Sequence, residues 1–231
     1  MTNGKFTRRG TVVLGAILGA AVVSRGRVAS PAVAAPLEPT PEAWEGPWYP
    51  VDWHAPVGND LTAVVGRPPP EGRAMLFGGI VRDTAGALVQ GITVQMWHVN
   101  IYGRYAHPEA QNGTRDDPGF RGYGDAVTGE DGRFLFRTIE PRDYSRRGPL
   151  VSGDFAPHIH MRLWRAGTLL RTVRADFVPR PGAPPGTGPQ NEAGPGSARW
   201  LGAGETAGLL TGSKLRPADA AAAFDIVLPL A

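Results

Sequence analysis

The sequence predicts an all-β protein, an antiparallel β-sandwich with an extended N-terminal arm and long loops. From residue 74 to residue 228, short runs of alternating apolar and polar residues follow one another, separated by Gly, Asp and Pro. Alternation with a period of two is typical of strands that bury one face. The sequence shows neither a long amphipathic helix nor an internal repeat. Short strands at this spacing favour a β-sandwich.

The alternation predicts six strands: Met75–Val81, Ile92–Val99, Arg133–Ile139, His158–Trp164, Leu169–Val178 and Phe224–Leu228. In the second strand, Ile92, Val94 and Met96 share one face. Gln95 and Trp97 lie on the other face, because successive side chains of a strand point to opposite sides. One face of this strand is therefore expected in the core of the sandwich.

Turn-forming residues define the connections between these strands. Asp83–Gly86 is predicted to be a turn, and Asp131-Gly132 is a strong hairpin signal. Ala166-Gly167 is expected to join two paired strands. Residues 179–197 are dense in Pro and Gly and are predicted to be a loop, whereas Ala218–Ala223 is expected to add one helical turn.

The first 35 residues have the pattern of an export signal. A basic start precedes a mostly apolar run from Gly10 to Val23, and Ala32-Val33-Ala34 offers a cleavage site. The pair Arg8-Arg9 resembles a twin-arginine signal, a route that carries folded proteins. We therefore expect export to the periplasm or outside the cell. Residues 36–73, rich in Pro and Trp, are interpreted as the arm, and residues 74–231 as the sandwich domain.

Composition excludes several classes of function. The first 35 residues contain five of the 24 basic residues and no acidic ones, which leaves 19 basic against 21 acidic residues, a net charge of −2. This balance gives no reason to expect nucleic acid as a partner. The chain has no cysteine, so disulfides and cysteine zinc sites are excluded. No later apolar run is long enough for membrane insertion after signal removal.

Two histidines on a predicted strand are the first candidate for metal chemistry. His158 and His160 are two residues apart, so both rings project to one side with Cα atoms about 6.6 Å apart. Ile159, Met161 and Leu163 alternate with them and are expected to pack into the core. Two surface histidines on a solvated strand would give the same pattern.

Two tyrosines in Gly- or Pro-marked connections could complete such a site. They are Tyr105, after Gly103, and Tyr144, after Pro141. Phenolate oxygen is a hard anionic donor that suits Fe(III), and imidazole accepts several transition metals. Spacing alone does not choose among the five tyrosines of the chain, and the other three are Tyr49, Tyr102 and Tyr123.

Seven stretches of the chain together resemble one known family. In chain order they are Glu45–Pro50, Asn59–Leu61, Gly91–Trp97, Gly103–Pro108, Asp131–Pro141, Pro157–His160 and Phe224–Leu228. The chain resembles at these positions the intradiol ring-cleavage dioxygenases, which include the catechol and protocatechuate 3,4-dioxygenases. The resemblance implies that Tyr105, Tyr144, His158 and His160 bind a non-haem Fe(III) ion. It also implies O2-dependent cleavage of a catechol-type ring between its hydroxyl-bearing carbons to a muconate-type dicarboxylate, with Tyr144 taking up a proton.

The chain departs from the family pattern beside the histidines. Phe155 stands where the family usually has an arginine, three residues before the first histidine. Arg174 stands where a glutamine is expected, and we expect it to supply positive charge to the substrate from another direction. Trp48 and Tyr49 are expected to line the pocket mouth together with Phe155.

Other readings of the sequence remain open at this point. Arg146 and Arg147 flank Tyr144 and are expected to be solvated, or to attract an acidic substrate. A non-catalytic sandwich that binds aromatic compounds or a protein partner is an alternative, which Phe155 favours. A cupin-like site is disfavoured because no histidine follows His160. The resemblance also allows a homo-oligomer.

Overall fold

The computed structural model describes residues 35–230 apart from 55, 111–113, 149, 151 and 179–195. The predicted export signal and most of the predicted loop at 179–197 lie outside the described residues. The described part contains eleven strands and one helix: β1 (Ala74–Asp83), β2 (Thr93–Trp97), β3 (Tyr123–Val127), β4 (Arg133–Ile139), β5 (Tyr144–Arg146), β6 (Gly153–Phe155), β7 (His158–Arg165), β8 (Thr168–Phe177), β9 (Ser197–Trp200), α1 (Ala203–Leu210), β10 (Ala220–Ala223) and β11 (Ile226–Leu228).

Two sheet layers enclose the main core. In one layer β1 pairs with β4, β10 and β11, and in the other the order is β3, β2, β7, β8. β9 joins the layers because it pairs with both β8 and β10. Apolar residues from both layers meet between them, as shown by the rings of Phe77 and Phe177 with centroids 5.9 Å apart. The predicted β-sandwich is confirmed.

The sheet is mixed rather than wholly antiparallel. β1 pairs in parallel with both β10 and β11, and β8 pairs in parallel with β9. Parallel neighbours need a long connection, and here these partners come from the C-terminal part of the chain, far in sequence from β1. Alternation along a strand reports which face is buried, whereas strand direction depends on these distant pairings.

Two local predictions were wrong. Asp131-Gly132 does form a turn, with Gly132 at φ +67°, but β3 pairs with β2 and β4 pairs with β1, so the turn connects two layers instead of a hairpin. The run Ala220–Ala223 is strand β10 and not a helical turn. Its pairing with β1 buries Ala222 completely, and this tertiary contact outweighs the helix propensity of alanine. Helix α1 was not predicted.

The arm runs across the sandwich as an extended segment. Its backbone N–H groups donate to three different strands: Thr40 to Val227 O at 3.0 Å in β11, Ala43 to Thr172 O at 2.9 Å in β8, and Leu61 to Arg137 O at 2.8 Å in β4. These bonds hold the intervening residues over the end of β7, where the histidines lie. No helix in the described part of the chain is long and apolar enough to cross a membrane.

Candidate metal centre and substrate cavity

Strand β7 presents both histidines on one face. His158 and His160 are buried, and their Nε2 atoms lie 3.1 Å apart. Ile159, Met161 and Leu163 point the other way and are fully buried in the core. The period-two prediction for this strand is therefore confirmed, and core packing of the alternate residues fixes the direction of both imidazoles.

Hydrogen bonding and stacking orient the two rings. The Nδ1–H of His158 donates to the carbonyl oxygen of Ala156 at 2.6 Å, which leaves its Nε2 lone pair free toward the cluster. Metal-binding histidines commonly donate their other ring N–H in this way. His160 stacks on Trp97 with ring centroids 5.2 Å apart and an interplanar angle of 12°. Both rings are thus held with Nε2 toward a common point.

The two predicted tyrosines reach the same point from separate segments. Tyr105 lies in the loop after β2, and its hydroxyl is 3.0 Å from the Tyr144 hydroxyl and 3.1 Å from His158 Nε2. Tyr144 opens β5, and its hydroxyl lies 3.5 Å from the same nitrogen. Gly103 permits the approach: it has φ +77°, and a Cβ there would lie 2.7 Å from the Cβ of Tyr144.

The donor set fits a metal ion. Each of the four donor atoms lies within 3.5 Å of another, and ligands bound at about 2 Å to one ion lie about 3 Å from one another. Across the described ranges no group of three His, Cys, Asp or Glu could hold a metal, so a site here requires the phenols. Two phenolates with two imidazoles suit a hard trivalent ion such as Fe(III).

Burial determines the protonation of the metal-free cluster. It raises the pKa of Tyr105 well above its usual value, and the neighbouring Tyr144 adds to this effect. Burial also raises the pKa of Tyr144 and lowers the pKa values of His158 and His160. At pH 7 the phenols therefore carry their protons and the imidazoles are neutral. A metal that binds here must displace two phenolic protons.

A small cavity opens onto the four donor groups. Besides them it is lined by Trp44, Glu45, Gly46, Pro47, Trp48, Phe155 and Arg174. Phe155 pairs with Tyr144 across the β5–β6 ladder, and their rings stack at 5.1 Å. The position at which the family pattern has an arginine is thus an apolar wall of the cavity.

Arg174 lies in the cavity wall next to the histidines. It is the direct partner of His160 across the β7–β8 ladder. Its guanidinium forms a two-point ion pair with Asp176, with Nε 2.9 Å from Oδ1 and Nη2 3.1 Å from Oδ2. The predicted positive charge is therefore present at the cavity, but the Asp176 carboxylate shares it.

Some arm residues line the cavity, and others contact the sheet beneath the arm. Trp48 lines the cavity, as predicted, whereas Tyr49 does not. The hydroxyl of Tyr49 instead donates to Gln95 Oε1 at 2.8 Å, and the Arg162 guanidinium lies 3.7 Å from the centre of its ring. Trp44, which the sequence did not single out, also lines the cavity and is 68% exposed.

The two arginines after Tyr144 have different environments, and Arg146 was placed wrongly. Arg147 is exposed and pairs with Asp154 at 3.0 Å. Arg146 is only 2% exposed, and its Nη1 donates to the carbonyl oxygen of Ala110 at 3.3 Å. Two residues along a strand share a face, so Arg146 follows Tyr144 into the interior. The two-residue spacing from Tyr144 was the sequence signal that could have predicted burial of Arg146.

Comparison with known proteins identifies the family. A family model described as Dioxygenase matches residues 44–176, more than half of the chain and the part that contains all four donor residues. The chain belongs to the intradiol dioxygenase family.

Individual relatives agree with this assignment. The chain is 35% identical over 99 residues to the protocatechuate 3,4-dioxygenase beta chain of Burkholderia cepacia, a match that covers 42% of each sequence. It is 32% identical over 105 residues to catechol 1,2-dioxygenase 1 of Acinetobacter lwoffii, covering 46% of this chain and 32% of that protein. The matched segment thus spans less than half of either relative.

Solved structures share the fold. A catechol 1,2-dioxygenase from Acinetobacter sp. matches with a TM-score of 0.56 and 22% identity, covering 83% of this chain and 63% of the other. The dioxygenase domain of a dioxygenase and carbohydrate-binding fusion protein from a cellulolytic Streptomyces matches with a TM-score of 0.52 and 22% identity, covering 84% of this chain and all of that domain.

Proposed function

We propose that the protein is a non-haem Fe(III) dioxygenase that cleaves the ring of a catechol-type substrate between its two hydroxyl-bearing carbons. O2 would contribute both of its atoms to a muconate-type dicarboxylate, so the reaction needs no external reductant. The observation that carries the proposal is the convergence of two phenol oxygens and two imidazole nitrogens at one end of β7. The family assignment and the activities named for the relatives support it.

Tyr105, Tyr144, His158 and His160 would hold the iron. When bound, ferric iron supplies a Lewis acid and a template for the two substrate oxygens. Among the four groups, Tyr144 has the longest contact to His158 and is the less buried of the two phenols. Once a bound metal has displaced its own proton, we assign to the Tyr144 phenolate oxygen the uptake of a substrate hydroxyl proton.

The other cavity residues would position the ring. Phe155 and Trp48 line the cavity with apolar aromatic side chains, which suit an aromatic ring. Arg174 would place its positive charge near the electron-rich substrate, and the ion pair with Asp176 would partly neutralise that charge. Residues 1–35 would direct export, so the substrate would be met outside the cytoplasm.

Oxygen uptake tests the proposed function. The iron-loaded protein is mixed with catechol in an oxygen electrode, and the product is identified by mass. We expect one O2 consumed per dicarboxylate formed, with loss of uptake in Tyr105→Phe. Tyr102→Phe is the matched control, because that hydroxyl bonds to Glu71 outside the site. Iron binding without uptake would support the aromatic-binding alternative, and failure to bind iron would contradict the proposed site itself.

A further inference from the structure

Among the residues that the structure describes, Arg146 is a buried cation without an anionic partner. Within the described ranges its Nη1 donates to the carbonyl oxygen of Ala110, while Nε and Nη2 have no hydrogen-bond partner there. In the described part of the chain no carboxylate forms an ion pair with it. A charge removed from water destabilises the fold unless another charge compensates it.

The surroundings of Arg146 are aromatic. The guanidinium carbon lies 4.9 Å from the centre of the Trp48 ring and 6.0 Å from the centres of the Tyr105 and Tyr144 rings. The ring faces compensate part of its charge. Among these neighbours only the two phenols can become anions. Arg146 does not line the cavity, so a substrate would not contact it.

We infer that Arg146 is a positioning residue whose fixed positive charge stabilises the two tyrosine ligands as phenolates. This inference rests on the proposed function, because the phenols become anionic only when a metal displaces their protons. Once both are ionised, the guanidinium lies beside two negative groups in a site shielded from water, where charge interactions are strong. In the metal-bound protein, the Arg146 guanidinium thus has the phenolates of Tyr105 and Tyr144 as anionic partners.

Substitution of Arg146 tests the inference through colour and stability together. The visible band of the iron-loaded protein arises from charge transfer from the phenolates to Fe(III). Arg146→Met removes the positive charge that stabilises these phenolates, so the transition needs less energy. The band should therefore move to longer wavelength. The metal-free variant should melt at the same or a higher temperature than the wild type, because an uncompensated buried charge has been replaced by an apolar chain of similar length.

Three further variants separate charge from packing. Arg147→Met makes the same charge change in an exposed ion pair one residue away, and should leave the band in place. Arg146→Lys keeps the charge and should absorb near the wild-type wavelength. Arg146→Gln is neutral and polar, and its band should shift as far as that of Arg146→Met. If Arg146→Met does not fold, Arg146→Gln provides the same test.

The outcomes distinguish this inference from the proposed function. A coloured wild type whose band is unchanged in the neutral Arg146 variants overturns the inference and leaves the iron site standing. A shift in Arg146→Lys as large as in Arg146→Met also overturns it, because packing would then be the cause. A wild type that binds no iron overturns both.

Discussion

At the scale of single residues, burial controls what the candidate centre can do. The phenol of Tyr105 is 3% exposed and both imidazoles are nearly as buried, so all three are uncharged without a metal. The hydrogen bond from His158 Nδ1 to Ala156 fixes the tautomer that offers Nε2 to an ion. The chain thus holds its donors ready and relies on the metal to ionise the phenols.

Arg174 gives the first prediction at this scale. Arg174→Ala removes the cationic side chain of the cavity wall, and we expect at least an approximately tenfold lower kcat/KM for catechol, or about 1.4 kcal/mol of transition-state stabilisation. Arg165→Ala, at the exposed end of the same hairpin, is the control. Unchanged turnover in Arg174→Ala would contradict this role for Arg174.

Residue patterns predicted the histidine half of the centre but not the tyrosine half. His158 and His160 follow from a period of two, which is a local property of a strand. Tyr105 and Tyr144 lie in segments whose meeting depends on the whole sandwich, so only the family resemblance separated them from the other tyrosines. The environment of Tyr49 was not predicted, because it depends on which face of the arm meets the sheet.

At the scale of elements, the site is assembled from a rigid strand and less regular segments. β7 lies between β2 and β8 in the sheet, which fixes the histidines. The loop carrying Tyr105 and the short β5–β6 ladder carrying Tyr144 close over this strand, and the arm covers them. Close contact between loop and ladder occurs at Gly103, which has no side chain to separate them.

Gly103→Ala should disturb that contact. The added methyl group would lie 2.7 Å from Tyr144 Cβ at a backbone φ of +77°, so Tyr144 or the loop that carries Gly103 must shift. Either shift changes the distances between the donor atoms. We expect a lower iron content and a weaker visible band. Gly167→Ala is a matched control, since Gly167 has φ +81° but no atom lies within 4 Å of an added Cβ. Equal iron loss in both variants would point to general backbone strain, of about 1 kcal/mol, instead of a shift at the contact with Tyr144.

At the scale of the whole molecule, the core also depends on a buried histidine. His98 is completely buried, donates from Nδ1 to Val99 O at 2.9 Å and accepts the Thr138 hydroxyl hydrogen at Nε2. Burial lowers the pKa of His98 to about 3. The strand order and the burial of this histidine both arise from pairings between distant segments, which is why composition and alternation did not reveal them.

The pKa of His98 predicts acid sensitivity of the fold. In the unfolded chain His98 takes up a proton near pH 6.5, whereas in the folded chain it does so only near pH 3. The free energy of unfolding therefore falls as the pH is lowered between these values. The loss from pH 6.5 to pH 4 should reach about 3 kcal/mol. Urea unfolding of the metal-free protein at a series of pH values between 6.5 and 4 measures this loss. His98→Gln should make the slope less steep but not remove it, because burial also lowers the pKa values of His158 and His160, whereas exposed His54→Gln should not change the slope. Equal slopes in the wild type and His98→Gln would contradict this assignment.

The central claim is that two tyrosines and two histidines form one ferric site. The most direct measurement is the visible absorption spectrum of the purified protein after iron loading, with iron quantified in the same sample. The account predicts a broad red-brown band from phenolate bound to Fe(III) and about one iron per chain. A protein that takes up no iron and stays colourless would contradict it.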